Sequence, residues 1–143
     1  MFGNIAEKKI AILGFAFKAN TNDTRESPAI EICKRLIEEG ANLSIYDPKV
    51  PAEKILGDLD LVNFSKKELL KHNILIEKNL IDAITDSDAI IIITEWEDFK
   101  KIDWQVISKI MRAPSYLFDT RSIVNSQEVE KNGINLWKIG SSN

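Results

Sequence analysis

The sequence predicts an α/β protein: a Rossmann-like open, mostly parallel sheet with helices on both faces. Three observations lead there. Two strand-length runs, Lys8–Gly14 and Ala89–Thr94, are apolar on both faces, which suits strands covered by helices from either side. Stretches of helical periodicity alternate with the strands. The strands end in polar clusters, where sheets of this kind hold their ligands.

Lys8-Lys9-Ile10-Ala11-Ile12-Leu13-Gly14 is the first strand, running into a glycine. From Pro28 to Glu39 the apolar residues Ile30, Cys33, Leu36 and Ile37 fall at helical spacing, and Gly40 stops the helix as its C′ residue. A second strand, Asn42–Tyr46, ends at Asp47-Pro48. Strand, helix and strand within this span make a βαβ unit with a right-handed crossover. Residues 48 to 78 carry weaker patterns: short helices at Ala52–Leu56 and Ser65–Leu70, and a brief strand or turn at Ile74-Leu75-Ile76. A short helix, Leu80–Ile84, precedes the most emphatic strand of the chain. There four consecutive isoleucines, Ile90 to Ile93, bring the stiff β-branched χ1 that packs well in a covered sheet. A helix from Asp103 to Met111, a strand at Tyr116-Leu117-Phe118, a helix from Ser126 to Lys131 and a strand at Leu136–Ile139 complete the alternation.

The 143 residues suffice for one domain with a real core. A formal charge of -3 offers no broad basic face, which argues against a nucleic-acid partner. Ala89–Thr94 is too short to cross a membrane as a helix, so no membrane association is expected. The single Cys33 excludes an intrachain disulfide framework and is compatible with a reducing, cytoplasmic setting.

The loop after the first strand, Gly14 to Pro28, contains one glycine and lacks the three-glycine dinucleotide fingerprint. Close docking of a pyrophosphate on that turn is therefore not expected. The loop instead carries Lys18 and Arg25, two cations suited to charge-assisted hydrogen bonds with phosphates. Ser27-Pro28 reads as N-cap and N1, and Asp23 with Glu26 has capping-box spacing one turn earlier. Arg25 thus has two readings, a ligand contact or a pair with a local carboxylate.

Asp47 follows the second strand and is expected to cap its own turn rather than hold a ribose. Trp96 and Phe99 read as core residues, Glu95 and Glu97 as solvent-exposed carboxylates. Arg121, in Asp119-Thr120-Arg121, stands where a phosphate or sugar would lie, or else pairs with Asp119. Trp104 and Trp137 read as packing residues. Cys33 lies on an apolar helical stripe and reads as inert. His72 has no cysteine or second histidine with which to bind a metal.

The runs Lys9-Ile10-Ala11-Ile12-Leu13-Gly14-Phe15-Ala16-Phe17-Lys18, Thr21-Asn22-Asp23-Thr24-Arg25-Glu26-Ser27-Pro28, Tyr46-Asp47-Pro48-Lys49-Val50, Thr94-Glu95-Trp96 and Phe118-Asp119-Thr120-Arg121 together resemble the C-terminal domain of UDP-glucose 6-dehydrogenases. The resemblance covers nearly the whole sequence. It implies an enzyme that oxidises UDP-glucose to UDP-glucuronate with two NAD, whose N-terminal dehydrogenase domain binds NAD and whose central helix supports a homodimer. The C-terminal domain supplies the UDP side of the cleft. Carried over, Phe17 and Lys18 would meet the UDP-sugar, Arg121 would hold the nucleotide-sugar, and Arg25 would reach the NAD pyrophosphate. No catalytic residue is implied here, because the family's nucleophilic cysteine lies in a central region that this sequence does not include, and Cys33 does not match it.

Met1-Phe2-Gly3-Asn4 is similar to the tail of the linker helix, giving 1–7 for that tail and 8–143 for the domain, and implying a fragment inert on its own. Two departures stand out. Asn20 and Asn22 replace an acid and a glycine, making the loop less acidic and stiffer. Ser122 replaces a frequent second arginine. The domain of a GDP-mannose or UDP-N-acetyl-sugar dehydrogenase, and a nonenzymatic nucleotide-binding or assembly module, are the alternatives. A complete small reductase is disfavoured by the missing glycine fingerprint.

Overall fold

The computed structural model describes residues 4–139. Among these residues six strands form one sheet: β1 (Lys9–Leu13), β2 (Asn42–Tyr46), β3 (Ile74–Ile76), β4 (Ala89–Ile92), β5 (Tyr116–Asp119) and β6 (Asn135–Lys138). Their spatial order is β3-β2-β1-β4-β5-β6 and every pairing is parallel. The helices among the described residues are α1 (Pro28–Glu38), α2 (Ala52–Asp58), α3 (Lys66–Lys71), α4 (Leu80–Ile84), α5 (Glu97–Lys100), α6 (Trp104–Ile110) and α7 (Ser126–Lys131). The expected α/β arrangement with a parallel sheet flanked by helices is the one observed.

Right-handed crossovers decide which helices share a face. The chain moves outward from β1 to β3 through α1, α2 and α3, with α1 against β2 and α3 against β3. It then crosses back over the sheet to β4, so α4 covers β1 and β2 from the other side and packs against α6, which meets α7. The strand order reverses between β1 and β4, and the crevice at their carboxyl ends is the natural ligand position.

The centre of the sheet is closed to solvent. Ile10, Ile12, Leu13, Leu43, Ile45, Ile90 and Ile92 are buried between the helical layers, with Ala29 and Cys33 beneath α1 and Ala83 and Ile84 beneath α4. Ser27 caps α1 by accepting the Ala29 N–H, and Pro28 sits at N1 as its sequence predicts. No capping box forms one turn earlier. Asp23 gives its amide to Thr21 Oγ1 instead, and Glu26 has a positive φ of 62° that a helix cannot use.

The ambiguous segment from 48 to 78 folds as two short helices and an edge strand. Ser65 and Glu68 cap α3 reciprocally, and Ile74–Ile76 pairs with β2 along Leu43, Ser44 and Ile45. A short helix, α5, forms in a segment whose sequence pattern predicts no element. Trp137 departs from its expected packing role: it tilts against Phe118 with ring centroids 6.3 Å apart but is 53% exposed, because β6 is the sheet edge. Of the expected linker tail, residues 1–3 lie outside the described residues. Glu7 then donates its amide to the Gly40 carbonyl and joins the entry of β1 to the end of α1. Among the described residues no helix is long and apolar enough to cross a membrane.

Candidate functional site

The loop between β1 and α1 is built against three neighbours at the carboxyl edge of the sheet. Gly14 begins it with φ 98°. A Cβ at Gly14 would stand 2.4 Å from Thr94 Oγ1, so the position needs a glycine for both backbone shape and space. The same Thr94 hydroxyl, fully buried, donates to the Ala16 carbonyl at 2.8 Å. Further on, the Phe17 amide donates to the Asp23 carbonyl at 2.7 Å and closes the loop on itself. Buried Thr24 fastens its far side to Asp58 of α2.

Asp47 explains why this turn does not present itself to a phosphate. Its Oδ2 accepts the amides of Phe15 and Ala16 at 2.7 and 3.0 Å and the Trp96 indole N–H at 3.1 Å. Its Oδ1 accepts the amides of Lys49 and Val50, which is the turn cap its sequence position predicts. The amides that a glycine-rich turn would offer to a pyrophosphate are thus already donating to a carboxylate. Sequence reasoning anticipated the local cap and missed the long-range contacts, which join residues 31 to 49 positions apart.

Asp119 plays the equivalent part after β5. Its Oδ1 accepts the Arg121 amide and its Oδ2 those of Ile123 and Val124, so it shapes the turn that presents Arg121. The guanidinium does not pair with Asp119. Instead Arg121 Nε donates to the Ile93 carbonyl at 2.7 Å, one Nη donates to the Phe17 carbonyl at 3.3 Å, and the other Nη stands 3.4 Å from Glu95 Oε2. Glu95, expected to be merely solvated, also accepts the Ala19 amide at 2.7 Å. Ser122, at the position of the missing second arginine, donates its hydroxyl to the Ile139 carbonyl and ties the turn to the end of β6.

Of the four residues singled out from sequence, the structure brings two directly together. Phe17 is 39% exposed, and its carbonyl is held by Arg121, which keeps about a third of its own side chain open. Lys18 follows Phe17 and is exposed. Arg25 takes the local pair: its guanidinium makes a fork on the Asp23 carboxylate, with contacts of 2.8 to 3.2 Å, and remains 87% exposed. That bond holds the Asp23 carboxyl down to about 2 and raises the Arg25 guanidinium in turn.

Burial pushes the Cys33 thiol up to about 12, keeping it protonated and unreactive. Among the described residues no group of histidine, cysteine and carboxylate side chains is placed to hold a metal. A cavity of about 560 Å³ lies elsewhere, beside β3 and α3, lined by Leu56, Leu69, Leu75 and Lys78 among others. The Phe17–Arg121 edge is an open face by comparison. Its cations and exposed aromatic ring can meet a polar anion from one side only.

Comparison with known proteins gives this face its context. The family model described as "UDP-glucose/GDP-mannose dehydrogenase family, UDP binding domain" matches residues 11–126. UDP-glucose 6-dehydrogenase 2 of Arabidopsis thaliana is 40% identical over 149 residues, covering 98% of this chain and 31% of that protein. UDP-glucose 6-dehydrogenase of Bos taurus is 43% identical over 142 residues, covering 98% of this chain and 29% of its own. Among solved structures, the UDP-D-ManNAc dehydrogenase of Pyrococcus horikoshii superposes with a TM-score of 0.70 at 28% identity, over 96% of this chain and 26% of that one. The chain therefore spans about three-tenths of the length of these relatives. It belongs to the UDP-glucose/GDP-mannose dehydrogenase family and corresponds to that family's UDP-binding domain.

Proposed function

We propose that this chain is the substrate-holding half of an NAD-dependent UDP-glucose 6-dehydrogenase, the part that grips the UDP of UDP-glucose while a second domain carries out the oxidation. The observation that carries the reading is the convergence of Arg121 on the Phe17 carbonyl at the carboxyl edge of β1, β4 and β5. It brings a guanidinium to the backbone of an exposed aromatic residue, with exposed Lys18 next in the chain. These are the groups a nucleoside diphosphate asks for: cations for the phosphates and an aromatic surface for stacking or sugar contact.

The division of labour follows from what the face lacks. The amides of the β1 turn are engaged by Asp47, so NAD has no phosphate cradle there. Arg25 points into solvent from a two-residue clasp with Asp23, and a pyrophosphate held by the NAD domain would recruit it by offering two more oxygens than the carboxylate. With its only thiol buried, the chain supplies no nucleophile, and it binds without turning substrate over. The setting is the reducing cytoplasm, in which Cys33 stays a thiol. The homodimer, like the oxidation, belongs to the whole enzyme.

Preference for glucose over other sugars rests on the Gly14–Pro28 run and on the 40% and 43% identities to UDP-glucose 6-dehydrogenases. Calorimetric titration of the purified chain with UDP-glucose, UDP-N-acetylmannosamine, GDP-mannose, UDP and NAD tests the reading. Saturable heat with UDP and UDP-glucose and none with NAD is the expected pattern. Preferential uptake of GDP-mannose would reassign the substrate, and NAD binding in place of UDP would overturn the division of labour.

A further inference from the structure

Three consecutive residues after β4 act on the β1 loop, Thr94 and Glu95 directly and Trp96 through Asp47. The Thr94 hydroxyl donates to the Ala16 carbonyl, and the Trp96 indole donates to Asp47, which itself holds the Phe15 and Ala16 amides. Glu95, between them, accepts the Ala19 amide at 2.7 Å with one oxygen and faces Arg121 Nη1 at 3.4 Å with the other. Its neighbours fix its backbone from both sides, because Thr94 is fully buried and Trp96 nearly so. One carboxylate is thereby clamped between the two loops that carry Phe17, Lys18 and Arg121.

From this geometry we infer that Glu95 is a positioning residue with two separable effects on anion binding. Resting on the proposed nucleotide-sugar site, the first effect is favourable: through Ala19, Glu95 holds the Phe17–Lys18 segment in place before the ligand arrives, which removes an ordering cost from binding. The second is unfavourable. Its negative charge already engages the Arg121 guanidinium, so an incoming phosphate competes with a resident carboxylate and would experience its repulsion. A residue with only a structural role would not split in this way.

Two substitutions separate the effects. Glu95→Gln keeps an oxygen for the Ala19 amide and removes the charge beside Arg121; Glu95→Ala removes both. Against UDP, measured calorimetrically with the full chain at low salt, Glu95→Gln should bind about threefold tighter and Glu95→Ala about tenfold weaker than the parent, on the scale of a partly exposed charge pair and a lost charged hydrogen bond. Uridine, which has no phosphate, should show no gain in Glu95→Gln. In an Arg121→Ala background the gain should vanish.

Hydrogen exchange of the Ala19 amide gives a ligand-free reading of the same contact: faster in Glu95→Ala, unchanged in Glu95→Gln. Equal weakening of UDP binding by both substitutions, or an Ala19 amide indifferent to Glu95→Ala, overturns the inference. A parent chain that takes up no UDP overturns the proposed site instead, and the exchange comparison alone then decides whether Glu95 holds the loop.

Discussion

Asp47 Oδ2 lies 3.1 Å from the indole nitrogen of Trp96, residues 49 positions apart in sequence, and the same oxygen takes the Phe15 and Ala16 amides. This one atom joins the ends of β1, β2 and β4 at the point where strand order reverses. Removing it in Asp47→Ala strands several buried donors at once, and we expect a loss of about 3 kcal/mol. Urea unfolding should show a lower midpoint with an unchanged slope.

Gly14 and Gly57 should answer alanine in opposite directions. At Gly14 a Cβ meets Thr94 at 2.4 Å in a backbone of φ 98°, so Gly14→Ala should cost about 3 kcal/mol or more, through overpacking and strain together. Gly57 lies within α2 with nothing within 4 Å of its added Cβ, and Gly57→Ala should gain about 0.5–1 kcal/mol. Thermal melts of the two variants beside the parent make the comparison.

The Asp23–Arg25 clasp carries a pH signature. Hydrogen bonds from Arg25 hold the Asp23 carboxyl at about 2 instead of 3.8. A group depressed in the folded state contributes stability that is fully present above its unfolded value and is lost as pH falls through its folded one. The contribution should therefore disappear between about pH 4 and pH 2, and it is small because the pair is exposed to solvent. Carboxyl NMR titration should place the Asp23 midpoint near 2 in the parent and higher in Arg25→Ala, yet still below the ordinary 3.8, because the residue 25 amide goes on donating to the carboxylate.

Cys33 should behave as a reporter of unfolding. Burial raises its thiol to about 12 and seals it beneath α1, so a thiol reagent at pH 8 should label it only as fast as the chain opens. Adding urea below the midpoint should accelerate labelling in step with the fall in stability. Rapid labelling of the native chain would show that α1 opens locally.

What could be read from sequence was what short-range pattern encodes. Ile90 to Ile93 announced a buried strand because β-branched apolar runs have few other uses, and Ser27-Pro28 announced the start of α1 because the cap is built from adjacent residues. The three-residue β3 is too short for its period to tell strand from turn, and the single turn of α5 carries no periodicity. The site was legible in part. Arg121 was placed correctly at a strand end, but Glu95 looked like a solvated charge because its partners Ala19 and Arg121 lie 76 and 26 residues away. Trp137 misled because hydrophobicity does not say which strand is the edge.

The proposed function requires Arg121 and Lys18 to form a nucleotide-sugar grip. Its most direct test is calorimetric titration of UDP-glucose into the parent chain and into Lys18→Ala and Arg121→Ala, each first shown to be folded by circular dichroism. Saturable binding by the parent is expected, weakened about tenfold or more in each variant, as loss of a charge-assisted phosphate contact requires. Binding that survives both substitutions unchanged would contradict it and place the nucleotide on another face of the domain.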